Sequence, residues 1–248
     1  MESRTAIVTG AARRVGRAIA EALLADGWTV IAHCRDEGDE VPAGTLKAAA
    51  DLADPDCAER IFSAAAGQPA VRLLVNNAAR FAPDALGSLD PQELDAHMAV
   101  NLRAPVLLTE ALATNHQGGD ALVVNLLDAK LAAPNPDFLS YTLSKQALAG
   151  FTELAARALA GESIRVNAIA PALMLPSTGQ DGANFAAMRA FNPLRRPVEP
   201  ADVIAALRYL VAAEAVTGQV ITIDSGQRFW SLGRDVQYLS PYDDAERR

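Results

Sequence analysis

A doubly wound α/β fold, with one parallel sheet covered by helices on both faces, is what this 248-residue sequence predicts. The prediction rests on three observations. Short β-branched or aliphatic runs recur along the chain, longer Ala- and Leu-rich segments separate them, and 50% of the residues are hydrophobic. Parallel strands need crossover connections and are buried on both sides, so such runs with helical spacers read as a single Rossmann-type sheet, here of seven strands.

The elements follow in order. "TAIVT", from Thr5, is the first strand, and "RVGRAIAEALLADG" reads as a helix that opens on basic residues and is closed by Gly27. "TVIAHC" is the second strand. The stretch from Arg35 to Asp51 is too short for a full crossover helix, and "DEGDEVPAG" within it carries charges, glycines and a proline, so that helix is expected to be vestigial or a loop. "GTLKAAA" and "VRLLVN" are the next strands, followed by a long helical segment, "DPQELDAHMAVNLRAPVLLTEALA". "ALVVNL" precedes a second long helix, "SYTLSKQALAGFTELAARALAG", and "SIRVNAIA" and "QVITID" complete the sheet. The second long helix is apolar around much of its circumference, which predicts a homo-oligomer, expected as a tetramer. Residues 1–248 read as one domain, with a substrate lid at 173–195 and a C-terminal tail at 228–248.

A formal net charge of −8 leaves no basic face for nucleic acid or an anionic membrane. The sequence has no apolar run of membrane-spanning length and no signal-like segment before the first strand, and the expected location is the cytoplasm. Cys34 and Cys57 form neither a CxxC pair nor a Cys/His cluster, and His33, His97 and His116 lack metal-ligand spacing. No disulfide or metal site is expected, and the partner is a small-molecule substrate.

Three places carry chemistry. In "TGAARRVG", between the first strand and the first helix, outward backbone N–H groups and the helix N-terminus suit a cofactor diphosphate; the alternative is a tight turn without a ligand. Only Gly10 and Gly16 are present, and Arg14 stands where the extended pattern has a glycine. At the end of the second strand, Cys34 takes the position where an acidic residue meets a ribose 2′-hydroxyl, and Arg35 follows, which favours NADPH over NADH unless Arg35 is merely solvated. Tyr141 and Lys145, four residues apart on one helix face, form a proton-donor pair in which the ammonium is expected to favour the phenolate.

Together these motifs resemble the short-chain dehydrogenase/reductase family from about Thr5 to Asp224. The resemblance implies cofactor contacts from Gly10, Arg13, Arg14, Val15 and Gly16, an adenine contact at Asp51 and Leu52, and an NNAG-like element at Asn76, Asn77 and Ala78. It also implies a helix asparagine, Asn101, and an active-site helix carrying Tyr141 and Lys145. Pro171 opens the segment whose Leu173 and Met174 backbone would hold the carboxamide end of the cofactor.

Most of the family has a serine where this chain has Asp128. A carboxylate is a poor partner for a carbonyl oxygen, since both are acceptors, but it suits a heterocycle with N–H groups. Arg14, Phe81, Asp128 and "YTLSK" in combination resemble pteridine reductases and dihydromonapterin reductases. That likeness implies that Arg14 reaches phosphate and substrate, that Phe81 sandwiches the pterin, and that Asp128 takes part in proton delivery. The expected activity is NADPH-dependent reduction of a pterin-like C=N bond. Carbonyl reduction of a ketone, sugar or oxoacyl compound and non-catalytic NADPH sensing are the alternatives, and Phe81 as an ordinary loop aromatic or Asp128 as a lost serine are the plainer readings of those two residues.

Overall fold

The structure is a computed structural model that describes residues 4–176, 180–230 and 232–239. Seven strands form one sheet: β1 (Thr5–Val8), β2 (Thr29–Cys34), β3 (Leu46–Ala49), β4 (Val71–Asn76), β5 (Ala121–Leu126), β6 (Ile164–Pro171) and β7 (Val220–Ile223). Their order is β3-β2-β1-β4-β5-β6-β7, and each of these pairings is parallel. Six lie within the runs that the sequence marks, and β6 extends its run by one residue, Pro171.

Alternation within the strands builds two cores. Ala6 and Val8 of β1 face the layer of α1 (Arg14–Ala25) and α7 (Pro200–Ala212), where Ile19, Leu23, Leu207 and Leu210 are buried. Ile7 faces the other layer, with Ile61 of α2 (Cys57–Ser63), Leu108 and Leu112 of α4 (Ala104–Thr114) and Ala155 of α5 (Leu139–Leu159). Each Leu or Ile so buried contributes roughly 1.5–3 kcal/mol of transfer free energy, so covering both faces is what makes the parallel sheet stable.

The second crossover has no helix. Residues between β2 and β3 run as turns, held by the Asp36 N–H donating to Asp39 Oδ2 at 3.2 Å and the Thr45 hydroxyl donating to Pro42 O at 2.7 Å. At the end of α1, Gly27 takes φ +83°, and its N–H donates to Leu24 O at 3.0 Å.

The segment from Pro91 to Thr114 is helical throughout but not uniform: α3 (Pro91–Met98) and α4 are joined by a π-helical turn at Ala99–Arg103. Pro105 has no N–H to donate into the ladder, so the α-helical bonding pattern cannot pass through this point unbroken. Two helices outside the readable pattern are α2 and α7. The second carries a legible start signal, with Pro200 in its first turn and the Glu199 N–H donating to Asp202 Oδ2 at 2.8 Å. Among the described residues no helix is long and apolar enough to cross a membrane.

Candidate active site

The sheet order reverses between β1 and β4, and in such folds ligands bind beyond the carboxyl ends of the strands at that point. A cleft of about 970 Å³ opens there. It is lined by Gly10, Arg13, Arg14, Val15, Gly16, Arg35, Asp51, Leu52, Asn77, Ala78, Phe81, Asp128, Tyr141, Lys145, Pro171, Leu173 and Met174, sequence-predicted residues brought together from loops, helices and a strand end far apart in the chain. Asn76 and Asn101 stand outside this lining.

At one end the wall is mainly backbone. A Cβ at Gly16 would lie 2.2 Å from the Gly10 carbonyl oxygen, so the turn closes only with glycine there. The Gly10 N–H donates to His33 Nδ1 at 3.0 Å, and His33 Nε2 lies 2.9 Å from Ala50 O, which fixes the tautomer with the proton on Nε2. Burial pushes the His33 pKa down, against a smaller opposing effect of that Ala50 bond, keeping the ring neutral for this role. His33 is thus a packing residue that ties the glycine turn to the start of the Asp51 loop.

Arg14 takes φ +56°, a left-handed conformation that suits the glycine of the extended pattern better than an arginine. Its guanidinium donates to Pro176 O at 2.7 Å and Leu175 O at 3.4 Å, joining the turn to the lid entrance. Two of its N–H groups thus meet carbonyls of the lid entrance, and Arg14 also lines the cleft. Arg35 is 72% exposed at the end of β2, and its Nε donates to Asp36 Oδ2 at 3.1 Å. Surface ion pairs of this kind contribute little and give way readily to a stronger anion.

The residues of the cleft fit the dinucleotide that the fold implies. Gly10 and Gly16 of the turn line it together with the cations of Arg13 and Arg35, and Asp51, Leu52, Leu173 and Met174 complete the lining.

At the other end the wall is side chains. The Tyr141 hydroxyl donates to Asp128 Oδ2 at 2.9 Å, and Asp128 Oδ1 accepts the Lys130 N–H at 2.8 Å. Lys145 Nζ donates to Leu126 O at 2.6 Å and lies 5.9 Å from the Tyr141 ring centre. Lys145 thus stands near Tyr141 on α5, with its ammonium donating to the Leu126 carbonyl rather than to the phenol. Burial, then the Asp128 charge and its hydrogen bond, push the Tyr141 pKa well above the usual phenol range, because an anion accepting from the hydroxyl stabilises the neutral phenol. Burial also lowers the Lys145 pKa to about 8, with Asp128 opposing.

Phe81 stacks on Phe138 with ring centres 4.2 Å apart and meets Tyr141 edge-on at 4.7 Å. Asn101 stands behind it rather than in the cleft. Its Oδ1 accepts the Arg80 N–H at 2.7 Å, and its Nδ2 donates to Arg80 O at 3.0 Å and Ser144 Oγ at 2.9 Å, stapling the Phe81 loop to α5. Asn76 is buried with Nδ2 donating to Asn125 Oδ1 at 2.8 Å and its own Oδ1 unpartnered.

Several groups at this end had no signal in the motifs. Asp84 caps α5 from a distant loop, its carboxylate accepting the Ser140 N–H at 3.0 Å. Lys130, Arg228, Asp235 and Val236 also line the cleft. Trp230 does so as well, together with Leu232 of the tail. Of the lid, residues 177–179 and, of the tail, 231 and 240–248 lie outside the described residues. The rest of the lid contains α6 (Gly182–Met188). Among the described residues no cluster of His, Cys, Asp or Glu could hold a metal ion.

The family model described as Enoyl-(Acyl carrier protein) reductase matches residues 10–228. The structure of FolM alternative dihydrofolate reductase 1 from Brucella canis, complexed with NADP, is 37% identical and superposes with a TM-score of 0.84 over 93% of this chain and 96% of that one. L-xylulose reductase of Bos taurus is 30% identical, over 91% of this chain and 97% of its own length. Pteridine reductase 1 of Leishmania tarentolae is 30% identical, over 89% and 95%.

Proposed function

Because the chain belongs to the short-chain dehydrogenase/reductase family, whose activity is oxidoreduction with a nicotinamide cofactor, we propose that it reduces the C=N bond of a dihydropterin with NADPH. The observation that carries this reading is the 2.9 Å hydrogen bond from Tyr141 to Asp128. A carbonyl substrate needs a donor at each point where its oxygen is met, and Asp128 offers an acceptor instead. A dihydropterin presents amino and ring N–H groups that such an acceptor can hold.

When bound, the cofactor would supply the hydride for the carbon of the C=N bond, and a proton would be needed at the nitrogen. This chain's residues handle that proton. The Tyr141 hydroxyl, kept neutral by burial and by Asp128, is the proton source, and Asp128 orients the heterocycle and the phenol together. Lys145, with Tyr141, holds the nicotinamide ribose, and its charge compensates the phenolate left after transfer. Phe81 packs against the flat ring, Arg35 receives the cofactor 2′-phosphate, and the Gly10–Gly16 turn receives the diphosphate. NADP in the Brucella canis structure supports the choice of cofactor. Assembly as a homotetramer is part of the same proposal.

A second reading, carbonyl reduction, is favoured by the likeness to L-xylulose reductase. One assay separates the two: NADPH oxidation with dihydromonapterin, dihydrobiopterin, dihydrofolate and a panel of ketones, run on the wild type and on Asp128→Ser. The proposal expects turnover of a dihydropterin that Asp128→Ser loses while ketone reduction improves. Pterin reduction that survives the substitution intact rules out the role given to Asp128.

A further inference from the structure

The C-terminal segment closes the substrate end of the cleft, and it brings a second carboxylate with it. Asp235 lines the cleft with its side chain only 16% exposed. Its Oδ1 accepts the Gln237 N–H at 3.0 Å. Its Oδ2 lies 3.6 Å from Lys130 Nζ, close enough for an ion pair but too far for an N–H···O hydrogen bond. The Lys130 ammonium itself donates to the main-chain carbonyl of Asp137. Asp235, in the cleft lining, therefore has an Oδ2 with a charge partner and, among the described residues, no hydrogen-bond donor, which leaves that oxygen able to accept an O–H from a bound ligand.

This placement is held by specific contacts. The Asp137 carboxylate accepts Arg234 Nε at 2.8 and 3.0 Å and the Asp235 N–H at 2.8 Å, latching the segment to the loop before α5. Tyr238 stacks on Phe138 with ring centres 5.8 Å apart, and Phe138 in turn stacks on Phe81. The aromatic column that borders the substrate thus also seats the tail.

A carboxylate oxygen and an ammonium side by side match one substituent in particular. A hydroxyl both donates and accepts, so it can donate to Oδ2 while accepting from the lysine, whereas a protonated amine has no acceptor for the second group. Resting on the reading that the Asp128 end receives the heterocycle, we propose that Asp235 is a substrate-binding residue that accepts a hydrogen bond from a side-chain hydroxyl of the substrate. Asp137 and Arg234 are its positioning residues. The enzyme is thereby selective for polyhydroxylated side chains over unsubstituted ones.

The test pairs dihydromonapterin, which carries side-chain hydroxyls, with 6-methyldihydropterin, which has none. Asp235→Ala is expected to raise KM for the first about tenfold, and to weaken its binding to the NADP-saturated protein, followed by fluorescence titration, by a similar factor. For 6-methyldihydropterin both should stay within about twofold, as should kcat and the NADPH dissociation constant. Asp235→Asn, which keeps an acceptor oxygen, should recover part of the loss. Arg234→Ala should reproduce it and add nothing in the double variant. Equal losses for the two pterins, or none for either, overturn the proposal. If the wild type reduces no dihydropterin, the proposed function falls, and the role of Asp235 is decided by the same comparison between a ketose and a ketone without hydroxyls.

Discussion

The two ends of the cleft are made of different material. The cofactor end is a backbone surface formed where the strands stop, and it depends on one absent side chain, at Gly16. The substrate end is a set of side chains from separate segments, Phe81, Asp128, Tyr141 and the tail's Asp235. A site made of backbone keeps its ligand as long as the turn closes, whereas a site made of side chains changes its ligand with one replacement. This contrast explains how one fold can serve relatives named for a sugar and for a pteridine, and why Asp128 narrows the substrate more than the turn residues do.

The largest effect should come from the substrate end. Tyr141→Phe removes the proton source while leaving the ring against Phe81, so kcat should fall roughly 10²- to 10⁴-fold, the usual range for a positioned general acid. The NADPH dissociation constant, followed by nicotinamide fluorescence, should change by no more than about fivefold. A variant that keeps wild-type turnover would remove Tyr141 from the chemistry and leave Asp128 alone with the proton.

The same division governs what could be read in advance. The seven strands, the glycine turn and the pairing of Tyr141 with Lys145 are local patterns, fixed by side-chain period, turn chemistry or helix spacing, and each is visible in a few adjacent residues. The missing second crossover helix was visible for the same reason, as proline and glycine in a short stretch. What was hidden depends on contacts between residues far apart in sequence. Asp84 capping α5 across 56 positions and Arg234 meeting Asp137 across 97 have no local signature. The direction of the Tyr141 shift was hidden too, because it follows from the phenol pointing at Asp128 rather than toward the lysine on its own helix. The position of Arg14 in the turn was legible, and its contacts with the carbonyls of Leu175 and Pro176 were not.

At the cofactor end the sharpest single change is Arg35→Asp. A charge-assisted contact to phosphate is worth roughly 1.5–3 kcal/mol, so NADPH binding should weaken about ten- to a hundredfold while NADH binding stays the same or improves. Titration of the free protein with each cofactor measures this directly. Equal loss for both would mean that Arg35 serves the turn structurally, an outcome that its exposure and its loose pairing with Asp36 argue against.

The smallest effect concerns Lys145, which stands where the two ends meet. Its folded-state pKa is lowered by burial from 10.5 to about 8, so in the free protein the ammonium is lost as pH rises through about 8. Because the Tyr141 pKa is raised, the phenol does not titrate in that window, and the lysine alone should set an alkaline limb in kcat/KM. The profile should be half-maximal near pH 8, then fall by up to tenfold per pH unit, and Lys145→Arg should move the limb upward. Stability carries the opposite sign. Between about pH 8 and 10.5 the unfolded lysine binds a proton that the folded one has released, so the lysine's contribution to folding becomes more favourable as pH rises through that interval. Melting temperatures of the wild type relative to Lys145→Met should therefore climb over the same range in which activity declines. A difference that stays flat with pH would mean that the ammonium is as well solvated in the fold as in water, and the limb in kcat/KM would then belong to another group.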